Sequence, residues 1–200
     1  MKCEANDLNQ YRCELPEVNF THPLIQEKSI ELFDGALTEL EKIEHAFTFV
    51  RDDIAHSWDI KSERVTCEAS EVLLHKEGIC YAKSNLLAAL LRSQGIPTGF
   101  CYQCLILFNT PADGYCIHAL NAVYVKSINR WIRLDARGNK EGIDAQFEIE
   151  EEKLAFCVNV ALDEKDYPMI YSKPHPKTLA VLREHTNALD MYRRHLPESL

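Results

Sequence analysis

An α+β fold is what this chain of 200 residues predicts, with helical periodicity early and late in the sequence and strand-like segments gathered between. Three observations carry that expectation. Residues 26–53 repeat apolar side chains at steps of three and four, residues 77–97 carry helix start and stop signals, and three segments after Pro97 are rich in aromatic and β-branched residues.

In the first stretch Ile30, Phe33, Leu37, Leu40, Ile43, Phe47 and Val50 mark the inward face of an amphipathic helix, which Gly35 divides into two pieces. Glu68 to Leu74 reads as a shorter helix. It leads into EGICYAKSNLLAALLRSQGIP (77–97), where Gly78 permits a tight turn, the apolar run extends from Ala82 to Leu91, and Gly95 followed by Pro97 stops the helix. Beyond it, FCYQCLILF (100–108), CIHALNAVYV (116–125) and RWIRLDA (130–136) are separated by the turn-prone NTPADGY and KSIN, the pattern of one antiparallel sheet. Leu154 to Val160 is expected to add a strand. KTLAVLREHTNALDMYRRHL (177–196) is expected to close the fold as one helix with Leu179, Leu182, Leu189 and Tyr192 inward.

Composition sets the outer limits. With 46% hydrophobic and 26% charged residues, the chain suits one domain over residues 1–200, its helical part at about 20–95, its sheet at about 98–160 and its closing helix at about 177–196. A formal net charge of −9 argues against general affinity for nucleic acid or an anionic membrane. Residues 1–20 show no basic, apolar and small-residue succession of a secretory signal, and the run Leu86 to Leu91 is too short to span a bilayer. A cytoplasmic protein with mostly free thiols among its eight cysteines is expected. The acidic EIEEEKL (148–154) reads as solvated surface, and His22 and His175, each before a proline, as loop residues.

Cys80 falls at the first turn of the best-defined helix. The unpaired N–H groups and positive dipole end there favour a thiolate over a thiol, and point at the oxygen of any carbonyl the sulfur attacks. A thiol nucleophile needs a base and a group to orient it. His118 lies within one predicted strand and Asp135 ends the next. If KSIN is the hairpin loop, Val125 pairs with Arg130 and Asp135 falls opposite Leu120, diagonal to His118 at roughly 7–8 Å between Cβ atoms.

GICYAKSNLLAALLRSQGIP, then HALNAVYV, then RWIRLDARGNK, in that order, resembles the core of the transglutaminase-like superfamily over about residues 54–147. The resemblance implies a papain-like fold in which a cysteine-bearing helix packs on an antiparallel sheet carrying histidine and aspartate. It implies Cys80 as nucleophile, His118 as general base and then acid, and Asp135 as the group that orients the imidazole. After the histidine, Ala119, Leu120, Asn121 and Ala122 stand where the family commonly has Ala-Trp-x-Glu, a departure that bears on substrate class. The segment VRDDIAHSWDI (50–60) resembles the one preceding the core in bacterial members, and makes Trp58 a candidate for holding the oxyanion, with Tyr81 a further candidate near the substrate. The implied chemistry is acyl transfer on a peptide, protein or amide, with hydrolysis favoured over transamidation and no cofactor needed. Calcium, which some animal transglutaminases require, has no matching D-x-[DN]-x-[DN]-G loop here. Oligomeric state and acyl acceptor are left open.

Two readings compete. Cys101, Cys104, Cys116 and His118 are soft ligands at short spacing that would make a structural zinc site, although residues three apart in a strand point to opposite faces. A catalytically silent binding module on the same fold is the other.

Overall fold

The second helix starts where Thr38 caps it: the Glu41 N–H donates to the Thr38 hydroxyl at 3.3 Å, and the Thr38 N–H donates to the Glu41 carboxylate at 2.7 Å. Two other helices begin at His-Pro pairs, where the Nδ1 of His22 and of His175 accepts the N–H two residues on and the proline takes the first helical position. The computed structural model describes residues 1–35, 37–108 and 110–200. Ala36, inside the stretch read as helical, and Asn109, in the turn NTPADGY, lie outside the described residues. The helices are α1 (Pro23–Leu32), α2 (Glu39–Asp52), α3 (Ala69–His75), α4 (Cys80–Ser93), α5 (Pro176–Glu184) and α6 (Ala188–Arg194). The strands are β1 (Lys2–Cys3), β2 (Ala55–His56), β3 (Glu77–Gly78), β4 (Thr98–Ile106), β5 (Tyr115–Val125), β6 (Arg130–Leu134), β7 (Lys165–Asp166) and β8 (Met169–Ile170).

Helix α4 is the centre of the fold. It is buried from Cys80 to Arg92, so its apolar residues face neighbours all round and its polar ones must find partners. They do so as staples to other segments. Asn85 donates to the Cys67 carbonyl at 2.9 Å, and Arg92 donates to the carbonyls of Cys13, Thr98 and Ser172 at 2.7–2.8 Å. Lys83 donates to the carbonyls of Ile54 and Arg51 at the end of α2. Around α4 pack Ile43, Phe47 and Val50 of α2, Val72 of α3, and Ile117, Ala119 and Val123 of β5.

The main sheet has the order β6-β5-β4-β7. β5 and β6 form a hairpin whose register is that expected, with Val125 opposite Arg130 and Asn121 opposite Leu134. The connecting turn closes through Asn129, which takes the left-handed conformation at φ 51°. β4 and β5 pair over nine residues, which sets Gln103 opposite His118. Alternate residues of the strands, Cys101, Leu120 and Ala122, face a second small cluster with Tyr11 and Ile170. The N-terminal arm covers that cluster: β1 pairs with β8, and the Tyr11 hydroxyl accepts from the Ala5 N–H and donates to the Ile170 carbonyl at 3.1 Å.

Several expectations change. Ile30, assigned to the inward face, is 73% exposed, because α1 ends at Leu32 and packs through Ile25 and Ser29 instead. Residues 154–160 form no strand: Ala155 and Phe156 pack toward the sheet from an irregular segment, Val160 opens a short 3₁₀ turn, and the fourth strand is Lys165–Asp166. The closing helix is two helices. Asn187 breaks it by accepting the N–H groups of Leu189 and Asp190 at 3.0 Å, which starts α6, and the buried positions become Val181, Leu182 and Met191, with Leu179, Leu189 and Tyr192 half-buried.

Gly99 in β4 has no room for a side chain. A Cβ there would stand 2.5 Å from Ile170 Cγ2 and 2.9 Å from the Tyr171 carbonyl oxygen, which is backbone and cannot swing aside. Gly99→Ala is expected to destabilise the protein by about 1–3 kcal/mol, lowering Tm by about 2–4 °C per kcal/mol in a thermal scan. An unchanged Tm would show that β8 is not held against β4.

Candidate active site

The start of α4 is fixed by a parallel bridge. His56 of β2 pairs with Gly78 of β3, and the Ser57 N–H donates to the Gly78 carbonyl at 3.2 Å. Trp58 thus stands two residues beyond one partner, as Cys80 stands two beyond the other. Gly78 is required by crowding: a Cβ would lie 3.0 Å from Thr66 Oγ1 and 3.1 Å from the Ala82 Cβ. On the opposite side the Tyr81 hydroxyl, buried in the first turn of α4, donates to the Ile117 carbonyl at 2.6 Å. That bond ties the helix to β5 one residue before His118.

His118 and Asp135 meet as the hairpin register allows. Nε2 of His118 lies 2.8 Å from Oδ2 of Asp135, and both residues are buried. The carboxylate also accepts the N–H groups of Arg137 and Ala155, each at 3.2 Å, so both of its oxygens are held. Phe156 stands edge-on to the imidazole at 5.0 Å between ring centres. With Nε2 engaged, Nδ1 is the nitrogen left for Cys80, which lines the same cavity and acts on the ring electrostatically. Burial alone would lower the His118 pKa, but the charges of Asp135 and Cys80 and their hydrogen bonds outweigh it and raise it to about 10. Asp135 moves the other way, below its ordinary value, because the facing imidazole overcomes the desolvation that would raise it.

The loop after Asp135 is anchored from outside. Arg137 reaches Asp59 with both terminal nitrogens, one at 3.0 Å, and Lys140 reaches the same carboxylate at 2.7 Å. These bonds overcome desolvation and bring the Asp59 carboxyl down to about 2. Gly138 makes the turn possible at φ +111°, where a Cβ would crowd the Arg51 carbonyl and Lys83 Nζ at 3.3 Å each. Asp59 and His56 are site residues that sequence reasoning did not single out, and HSWD beside the candidate Trp58 was the available signal. The buried His56 imidazole is held well below its ordinary pKa by desolvation and by Arg137, so it is neutral.

Cys80, His118, His56 and Trp58 open on one cavity of about 790 Å³. Tyr81 is not among its lining residues, since its side chain is committed to Ile117, and its place is that of a tie between helix and strand. The four ligands of the zinc reading are not gathered. Cys101 belongs to the cluster behind the sheet, and Cys104 packs on the α4 side and donates to the Glu198 carbonyl at 3.3 Å. Burial pushes the thiols of Cys101 and Cys116 up to about 12. Among the described residues no helix is long and apolar enough to cross a membrane.

A family model described as the transglutaminase-like superfamily matches residues 26–136. A solved structure of a candidate cysteine protease from Cytophaga hutchinsonii superposes with a TM-score of 0.53 at 16% identity, covering 66% of this chain and 43% of that one. A second, of a TGase, has a TM-score of 0.42 at 15% identity over 67% of this chain and 35% of its own. The chain therefore spans less than half the length of either, and the first likeness shows the fold. No curated protein matches.

The His118–Asp135 pair predicts a pH-dependent stability. A histidine whose folded pKa is raised contributes fully below its unfolded value of about 6.5, and the contribution is lost as pH rises through about 10. His118→Gln is thus expected to cost more stability at pH 6 than at pH 10 in urea unfolding. A difference that does not vary with pH would mean that the native pair is not ionised.

Proposed function

Since the chain belongs to the transglutaminase-like superfamily, we propose that it is a cysteine-dependent hydrolase of peptide or amide bonds, with Cys80 as nucleophile, His118 as general base and acid, and Asp135 as the orienting carboxylate. The observation that carries this reading is the 2.8 Å His118–Asp135 contact together with a cysteine at a helix start, with Cys80 and His118 lining one cavity. The raised His118 pKa, which the Asp135 carboxylate sustains against burial, favours an imidazolium at the site.

In this mechanism the thiolate sulfur bonds to the carbonyl carbon and the carbonyl π electrons move to oxygen. The Cys80 N–H, at the first position of α4 where no intrahelical acceptor exists, donates to that oxyanion, and Trp58 is the candidate for a second donor from the same cavity. Collapse of the intermediate expels the amine, which takes the proton from His118 Nδ1 and leaves a thioester. Water then attacks, gives its proton to His118, and the acid leaves as the thiolate re-forms. Transamidation would share every step up to the thioester and differ only in the acceptor. Asp135 keeps Nε2 engaged throughout, so that Nδ1 stays turned to the sulfur.

Cys13 and Cys157 are exposed thiols and serve as internal references. At pH 6 Cys80 is expected to react with iodoacetamide at least tenfold faster than either, read by peptide mass, and His118→Ala is expected to remove that advantage. Equal rates for the three thiols in the unsubstituted protein would remove Cys80 as nucleophile.

A further inference from the structure

Aromatic side chains gather at the cavity beside Cys80. Trp58 stacks on Tyr192 at 4.7 Å with planes 15° apart, and Phe108 lies 5.6 Å from Trp58 and 6.5 Å from Tyr192. Leu162 and Phe156 continue the lining of the same cavity. Phe108 is 43% exposed and Leu162 39%, so apolar side chains stand open to water in the cavity of the candidate nucleophile.

The charges around these rings are sorted. Lys61 lies 4.0 Å from the centre of the Trp58 ring and Arg193 5.4 Å, and neither has a carboxylate partner among the described residues. Arg137 and Lys140 share the single carboxylate of Asp59. The Trp58 side is therefore cationic in a chain whose net charge is −9. Glu141 and Glu164 also line the cavity, and Glu164 is held there by the N–H groups of Ile106 and Asn159 at 2.9 and 2.8 Å. Carboxylates and cations thus both border the cavity, and the two cations without a carboxylate partner stand at the Trp58 ring.

We propose that the acyl donor is an acidic peptide segment, with an aromatic or large aliphatic side chain on the residue whose carbonyl is attacked and a carboxylate on the residue before it. The side chain covers Phe108 and Leu162, and the carboxylate faces Lys61 and Arg193. A glutamine or glycine in the first position would leave the apolar surface wet. This assignment rests on the acyl-transfer reading given above.

Peptide aldehydes test it without a known substrate, because an aldehyde carbon adds the Cys80 sulfur reversibly and shields it from iodoacetamide. N-acetyl-glutamyl-phenylalaninal is expected to protect Cys80 at concentrations at least tenfold lower than N-acetyl-glutamyl-glycinal, and severalfold lower than N-acetyl-lysyl-phenylalaninal. Phe108→Ala is expected to shrink the first ratio, and Lys61→Glu with Arg193→Glu to reverse the second. Equal protection by the three aldehydes in the unsubstituted protein would overturn the proposal while leaving Cys80 as the nucleophile. Loss of the preferential alkylation of Cys80 without any aldehyde would overturn the acyl-transfer reading itself.

Discussion

The contact between the first turn of α4 and β5 is the constraint from which the rest of the site follows. One hydrogen bond, from the Tyr81 hydroxyl to the Ile117 carbonyl, joins the residue after the candidate nucleophile to the residue before the candidate base. Everything that stiffens α4 therefore acts on the separation of sulfur and imidazole. The helix is buried on all sides, and its Lys83, Asn85 and Arg92 side chains bond to backbone carbonyls of the surrounding segments. A helix of this kind has one way to lie.

The cavity is assembled from two stretches of the chain. Residues 26–136, which match the family model, contain Cys80, His118, Asp135 and the helix-sheet frame. The facing wall of the cavity comes from residues 141–164 and from Tyr192 and Leu196, outside that match. Among the contacts that join the two parts, Asp135 takes the Ala155 N–H, Phe156 stands edge-on to His118, and Trp58 stacks on Tyr192.

Much of the core was legible because its signals are local. Gly78, the apolar run and Gly95 with Pro97 delimit α4, and a four-residue hairpin loop is enough to fix the β5–β6 register and so the His118–Asp135 diagonal. What stayed hidden depends on distant partners. Nothing near Asp59 in sequence announces that it will receive Arg137 across 78 positions, and nothing in residues 1–12 announces that Tyr11 will cover the back of β5. The break at Asn187 was readable as a cap but was masked by apolar spacing that runs through it. Residues 154–160 misled because an apolar stretch without alternation fits an irregular packed segment as well as a strand.

Lys83 lies one turn along α4 from Cys80, and burial followed by the nearby Arg137 lowers its pKa to about 7. Unfolded, that amine would keep its proton to about 10.4, so through mildly alkaline pH the native chain binds one proton fewer at this position. At His118 it binds one more over nearly the same interval. The two offsets have opposite sign and largely cancel each other between neutrality and about pH 10. Lys83 thereby offsets, in the pH dependence of folding, the extra proton that the His118 imidazole retains.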